Sequence, residues 1–294
     1  MSLEYPPIQK PYTRNCEIIE EDVFPEGMHR IALGIEYNGA GFSGFQKQPS
    51  GVATVQQSLE KALSQVANEP VTLVCAGRTD AGVHASGQVI HFDTLAVRPD
   101  KAWVQGVNAL LPDAVSVRWA QEVSPHFHAR FAALDRTYRY LIYQDRSRPA
   151  IGAGQLTWER RTLDINAMRT AAEGLVGEHD FTSFRATQCQ AKSPVRTVRY
   201  IELFEMGELL VLEIRANAFL HHMVRNITGV LLAIGAGEKP VNWCRDVLNA
   251  KDRRKGGVTA KPDGLYLVDV GYPEHFCLPS SAAGPRFVPL PLKC

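Results

Sequence analysis

Residues 70–94 read PVTLVCAGRTDAGVHASGQVIHFDT. PVTLVCA (70–76) and SGQVIHFDT (86–94) are rich in β-formers and bounded by glycine and small polar residues, which predicts two strands of a hairpin. The segment between them sets Arg78 and Asp80 two residues apart, in a stretch too rich in glycine for helix and too polar for core. Asp-Ala-Gly is a common turn sequence, so a solvated ion pair in a turn is the plain reading of the loop alone. The sharper reading is a loop built to present a carboxylate.

Upstream, RIALGIEY (30–37) alternates as a strand, and ATVQQSLEKALSQVA (53–67) puts Val55, Leu59, Leu63 and Val66 at helical spacing behind Thr54 as N-cap. Downstream, PDKAWVQGVNALL (99–111) reads as a helix with Pro99 in its first turn, and AVSVRWAQEV (114–123) as a strand. The order is β-α-β-β-α-β, with the hairpin at its centre. The second half repeats that order without repeating the sequence. RTYRYLIYQ (136–144) is a strand, and DINAMRTAAEGL (164–175) a helix capped by Asp164. VRTVRYIELFE (195–205) and LLVLEIRA (209–216) form a hairpin, followed by a long helix over 217–237 capped by Asn217. A further helix at 242–250 and a strand at 263–272 complete the half. Each half is a ferredoxin-like unit. The expected fold is α+β: one broad, mainly antiparallel sheet with helices on one face and an active-site cleft between the halves.

The expected divisions are an acidic arm at 1–28, a first half at 29–130 carrying the loop, a second half at 131–272 and a Pro-rich tail at 273–294. With 294 residues, 45% hydrophobic and 21% charged, the chain can build a sizeable core without staples. Its net charge of +1 is unevenly spread. The arm holds six acids against two bases, while Arg130, Arg136, Arg139, Arg146 and Arg148 cluster, as do Lys251, Arg253, Arg254 and Lys255. A polyanionic partner and a solvated face both fit such clusters. The six cysteines show no CxxC spacing, which fits reduced thiols in a cytosolic protein and no zinc site. No stretch has the pattern of a secretory signal or a membrane span.

GAGFSG (39–44) matches GxGxxG after a predicted strand, with Glu60 beyond it. A dinucleotide site needs a helix to open at the last glycine, and Pro49 and Gly51 break any helix there. The histidine pairs His84/His91, His126/His128 and His221/His222 lack metalloprotease spacing and read as hydrogen-bonding or RNA-contacting groups. Two features favour the sharper reading of Asp80. FHARFAALDRTYRYLIY (127–143) interleaves aromatic and basic residues, which suits base stacking and phosphate contact. Arg225 sits inside the otherwise apolar pattern of 218–235, where it needs a carboxylate partner, and Asp80 is a candidate.

AGRTDAGVHASGQVIHF, preceded by TVQQSLEKAL and followed by FHARF, RTYRY, FTSFRA, ANAFLHHMVRNI and AKPDGLYLVDV, resembles the tRNA pseudouridine synthase A family over roughly residues 29–285, in the family's order. The resemblance implies a cytoplasmic homodimer that isomerises uridines 38–40 in the anticodon arm of tRNA to pseudouridine, with no cofactor and no metal. By motif position it implies that Asp80 is the catalytic nucleophile, Arg78 the arginine that helps flip the base and Tyr138 the ring beside the uracil. It makes Arg225 the partner of the aspartate and Leu265 an apolar wall of the uracil pocket. Contacts to tRNA are implied for Arg98, for Phe127, His128, Ala129, Arg130 and Phe131, and for Gln188, Cys189, Gln190, Ala191 and Lys192. FSGFQKQ (42–48) departs from the family pattern: Phe45 and Lys47 stand where a Trp and an Arg are frequent, and both keep the residue's character.

The chemistry needs such residues. Breaking the N-glycosidic bond, turning the uracil and rejoining it through carbon 5 involves neither redox nor hydrolysis. A carboxylate can attack C1′ or the base, or abstract a proton. Burial penalises its charge, and a neighbouring arginine favours it. The target must also leave its stack, at a few kcal/mol. A non-catalytic RNA-binding module on the same sheet is the alternative, and it gives no reason to bring Asp80, Tyr138 and Arg225 together. A dinucleotide oxidoreductase is the third, distinguished by a cofactor-binding assay.

Overall fold

The structure, a computed structural model, describes residues 24–279 and 284–288. The first half contains β1 (His29–Tyr37), α1 (Val55–Ala67), β2 (Leu73–Cys75), β3 (His84–Thr94) and β4 (Val115–Val123). The second contains β5 (Asp135–Gln144), β6 (Thr157–Glu159), α2 (Ile165–Glu173), β7 (Gly177–Asp180), β8 (Val195–Met206), β9 (Leu209–Ala216), α3 (Met223–Gly235), α4 (Trp243–Ala250) and β10 (Leu265–Gly271). One sheet runs β4-β1-β3-β10-β5-β9-β8-β7, with β2 paired to β3 and β6 to β5. Within it, β4-β1-β3-β2 and β10-β5-β9-β8 have the same relative order, so the expected repeat of ferredoxin-like units is present. Pairing is antiparallel except at β3–β10 and β5–β6.

Strand alternation gives the sheet two different faces. Tyr138, Tyr140 and Ile142 of β5 join a large core with Leu59 and Leu63 of α1, Met168 of α2, Ile227 and Leu231 of α3 and Val247 of α4. Leu141 points the other way and packs with Val211, Tyr266, Val268 and Val288. The helices therefore share one face, and the described end of the chain covers part of the other. Arg139, buried on that second face, pairs with Glu213 at 2.6 Å and donates to the Gly284 carbonyl at 3.0 Å.

The halves meet where β3 and β10 pair in parallel, His84 with Tyr266 and Ala85 with Leu267. Glycine is required beside this seam, because a Cβ at Gly87 would lie 2.1 Å from the Val268 carbonyl oxygen. The His84 ring stacks on Tyr266 with centroids 4.6 Å apart, and its Nδ1 accepts from the Gly39 amide at 3.0 Å. That bond leaves Nε2 as the donor to the Asp263 carbonyl, also at 3.0 Å. Burial holds the His84 pKa below the ordinary imidazole value, so a neutral ring pins three segments together.

Several local expectations are corrected. The helix expected over 217–237 starts at Met223, and Asn217 does not cap it. The Asn217 side chain instead accepts from the Thr197 amide at 3.1 Å and its own amide donates to the Thr197 carbonyl, which ties it to the β8–β9 hairpin. The strand expected at 70–76 shortens to β2, and the next begins earlier, at His84. Within 99–111 the backbone is π-helical over Ala102–Gly106, with Trp103 turned into the core against Phe92. β6 and β7 carry too few residues for a period to show. Residues 1–23 of the acidic arm, and 280–283 and 289–294 of the tail, lie outside the described residues. No helix among the described residues is long and apolar enough to cross a membrane.

Candidate active site

The loop between β2 and β3 is held by buried polar groups before any ligand arrives. Gln88 on β3 is fully buried, and its amide meets both polar groups of Gly77: Nε2 donates to the carbonyl at 2.6 Å and Oε1 accepts from the amide at 3.3 Å. The hydroxyls of Tyr37 and Thr79 lie 2.8 Å apart. Burial is the main reason the Tyr37 pKa rises above the ordinary phenol range. The residues on both sides of Arg78, the second of which also precedes Asp80, are thus fixed. Gly82 makes the turn at φ +78°.

The GAGFSG stretch forms the opposite wall. The Phe45 amide donates to the Thr79 carbonyl at 3.0 Å, and Gly44, at φ +97°, lets the two backbones approach. What resembled a dinucleotide fingerprint is a 3₁₀ turn at Gly39–Gly41, with α1 starting only at Val55.

Asp80 meets the start of α3. Its Oδ1 is 3.1 Å from His221 Nε2, and its Oδ2 is 3.4 Å from His222 Nε2 and 3.7 Å from Arg225 Nη1. His222 has a left-handed backbone, φ +62°, at the entry to the helix. Strain of this kind in a non-glycine residue concentrates at functional sites. Burial, with Arg225 and His221 adding to it against the pull of Asp80, holds the His222 pKa below the ordinary value. Arg225 is itself anchored: Nε donates to the Ala260 carbonyl at 2.7 Å, and the Ala260 amide donates back to the Arg225 carbonyl at 3.1 Å. Behind it Arg253 Nη2 donates to Asn226 Oδ1, the Gly257 carbonyl and Thr259 Oγ1. The resulting cleft, about 440 Å³, is lined by Ser43, Gly44 and Gln46–Gln48 on one side and by Thr79–Ala81, His221, His222 and Arg225 on the other.

Tyr138 projects from β5 on the same side of the sheet, its ring edge-on to Phe219 at 4.9 Å. A Cβ on Gly77 would sit 3.8 Å from its hydroxyl, so the ring borders the β2–β3 loop. Burial first, then the Asp80 charge, raises its pKa, which keeps the phenol protonated. Leu265 is buried opposite Tyr140, and its amide donates to the carbonyl of Pro262, whose ring faces Gly82. Arg78 is exposed, with no hydrogen bond or ion pair among the described residues.

The expected tRNA contacts divide by exposure. Phe127 and Ala129 are fully buried, and Phe127 packs on Tyr272 and Phe276. Arg130 and Phe131 are exposed, and His128 stacks on Phe131 at 4.3 Å. Gln188, Gln190 and Lys192 are exposed, Cys189 and Ala191 half-buried, and this loop is tied to the site by the Ala186 amide donating to the His221 carbonyl at 2.9 Å. Arg98 donates to the Val66 and Ala67 carbonyls and so caps the C-terminus of α1.

His91 and His128 set the FHARF turn as hydrogen-bond acceptors, His91 for the Ala129 amide and His128 for the amides of Arg130 and Phe131. Burial, reinforced by Arg30, pushes His91 down to about 3 and His128 to about 4. An unfolded imidazole titrates near ~6.5, so between that pH and about 3 the unfolded chain binds a proton that folded His91 rejects. Stability is therefore expected to fall as pH drops through that window, by roughly 2 kcal/mol at pH ~5 from His91 alone. His91→Asn, which keeps an acceptor, should flatten urea-denaturation stability against pH by about one proton; an unchanged slope would remove His91 from this role.

The sequence alone did not single out the contacts of His221 and His222 with Asp80, the second wall at 43–48, or the Gln88 and Tyr37 supports. The adjacent histidines three and four residues before Arg225 were the available signal for the first of these.

Comparison with known proteins accords with this geometry. A family model described as tRNA pseudouridine synthase matches residues 34–132 and 171–273, one stretch in each half. A protein from Pseudomonas aeruginosa named tRNA pseudouridine synthase A is 62% identical over 262 residues, 89% of this chain and 92% of its own length. Proteins of the same name from Alcanivorax borkumensis and Pseudoalteromonas atlantica are 58% and 56% identical, covering 89% and 88% of this chain and 98% of each relative. With a matched model over more than half its length and relatives of this closeness, the chain belongs to the tRNA pseudouridine synthase family.

Proposed function

We propose that this chain is an isomerase that converts uridine in tRNA to pseudouridine at the cleft between its halves, with Asp80 as nucleophile. The observation that carries the assignment is the meeting of the Asp80 carboxylate with Arg225, His221 and His222 on one cleft, with Tyr138 beside the loop that presents Asp80. Arg225 favours the charged carboxylate, and its double link to Ala260 fixes where that charge sits. Tyr138 offers a ring face and a protonated hydroxyl to the uracil, and Leu265 closes the apolar floor. Arg78, exposed beside Asp80, is placed to fill the space left by a flipped base or to hold a phosphate. Atoms move only within the substrate, so the residues of the cleft and the bound tRNA are sufficient for the reaction.

The substrate region is the anticodon arm, at uridines 38–40, with Arg130, Phe131, Gln188, Gln190 and Lys192 along the RNA path. The active form is a cytoplasmic homodimer, which light scattering of the purified protein tests by a mass of twice the chain. A non-catalytic RNA-binding module is disfavoured because Asp80 and Arg225 are together, 3.7 Å apart at their nearest atoms. Incubating the purified chain with unmodified tRNA and mapping pseudouridine is expected to find it at those positions. Bound tRNA with no pseudouridine would return the chain to the alternative.

A further inference from the structure

The Asp80 cluster has a second chemical capacity. Asp80, His221 and His222 each turn a ligand atom into one small volume, and these atoms all lie within 4.8 Å of one another. Two imidazole nitrogens and a carboxylate oxygen make a donor set suited to a borderline-soft divalent ion such as Zn²⁺. Metal–ligand bonds of ~2.0–2.1 Å in a tetrahedron place ligand atoms roughly 3.3 Å apart. Each carboxylate oxygen of Asp80 faces one ring at about that spacing, Oδ1 with His221 Nε2 at 3.1 Å and Oδ2 with His222 Nε2 at 3.4 Å, so a small turn of the carboxylate completes the set. Both rings are partly exposed, and the cleft of about 440 Å³ beside them has room for water to complete the shell.

We propose that Asp80, His221 and His222 form an inhibitory site for Zn²⁺ or a similar divalent transition ion, which occupies the carboxylate and shuts the cleft to tRNA. The inhibitory consequence rests on Asp80 being the nucleophile; the binding does not. Arg225, 3.7 Å from Oδ2 and tied to Ala260, stays beside the ion and weakens its hold, which makes the block reversible by a chelator. Mg²⁺ asks for an octahedron of oxygens and retains its water, so the magnesium that accompanies tRNA does not compete.

Co²⁺, a visible stand-in for Zn²⁺, reports the site without any need for activity. Titrating the full chain with Co²⁺ is expected to produce the absorption of a four- or five-coordinate ion at one equivalent, displaced by Zn²⁺ and unchanged by Mg²⁺. His221→Ala and His222→Ala should each weaken Co²⁺ binding at least about ten-fold, since even outer-shell partners are worth that much. His221→Gln and His222→Gln, with circular dichroism as a control for folding, replace them if the alanine variants are unstable. Zn²⁺ should also inhibit pseudouridine formation by the wild-type chain, and EDTA should restore it. No Co²⁺ spectrum, a thiolate charge-transfer band from the cysteines, or a spectrum that survives both His substitutions would overturn the site. A chain that binds Co²⁺ as expected yet makes no pseudouridine in any condition would leave the site standing and defeat the catalytic assignment instead.

Discussion

Asp80→Asn is expected to lower kcat for pseudouridine formation by at least about 10⁴-fold, with tRNA affinity and melting temperature close to wild type. The substitution keeps size and shape and removes only the charge and its nucleophilicity. The loop does not depend on that charge. Gln88 holds Gly77, Tyr37 lies in hydrogen-bonding reach of Thr79, and the Val83 amide donates to the backbone carbonyl of Asp80, not to its side chain. Arg225 retains its bond to the Ala260 carbonyl when the carboxylate is gone, so no buried cation is orphaned. Single-turnover assays with tRNA, a filter-binding isotherm and a thermal melt together read the effect. An Asn variant within ten-fold of wild type would end the assignment of Asp80 as nucleophile, whereas a large loss with an equally large fall in melting temperature would show that the carboxylate is structural.

The second large effect is expected at a residue that does not line the cleft. Gly229→Ala in α3 should destabilise the chain by about 3 kcal/mol and reduce kcat on the order of 10²-fold. Ordinary helix propensity argues the reverse, because alanine is favoured over glycine by about 1 kcal/mol inside a helix. Contact decides the sign. A Cβ at Gly229 would lie 1.8 Å from the Val258 carbonyl oxygen, a backbone atom that no rotamer change can move. The segment around Val258 would have to lift off α3, and it carries Ala260, which anchors Arg225, and Thr259, which bonds Arg253 and Asn226. A displacement of that segment therefore reaches Asp80 through the arginine. Urea denaturation and kcat at saturating tRNA check both halves of the expectation; a stabilised, fully active variant would show that the segment has no such hold on the site.

Much of the fold was legible because period and punctuation agreed. α1 has its Thr54 cap and a helical stripe, and the β8–β9 hairpin has a glycine turn, so both lie within a few residues of expectation. The limits came from tertiary contacts that leave no local mark. Asn217 is a good cap in isolation, yet its side chain is spent on Thr197, and the helix waits for the left-handed His222. The site followed the same rule. Asp80 and Arg225 could be paired because a lone arginine in an apolar stripe demands a partner. The supports from Gln88 and Tyr37 could not be, since a glutamine and a tyrosine in alternating strands look like any others until the register aligns them with the loop. GAGFSG shows the converse: Gly39 and Gly44 answer to the Val83 and Thr79 carbonyls of the β2–β3 loop, not to a phosphate.

The seam between β3 and β10 also sets a schedule. β10 is the tenth strand in chain order, yet it lies in the middle of the sheet, and its partner His84 precedes Tyr266 by roughly 180 residues. At ~5–20 residues per second of synthesis, the edge of β3 that β10 will cover waits roughly 10–40 s for it. During that interval the nascent first half carries an open strand edge next to Gly87, and the second half has no strand to close β5. The two units are joined last, by the strand that is translated last among the ten, so the cleft comes into being only after Leu265–Gly271 has been made.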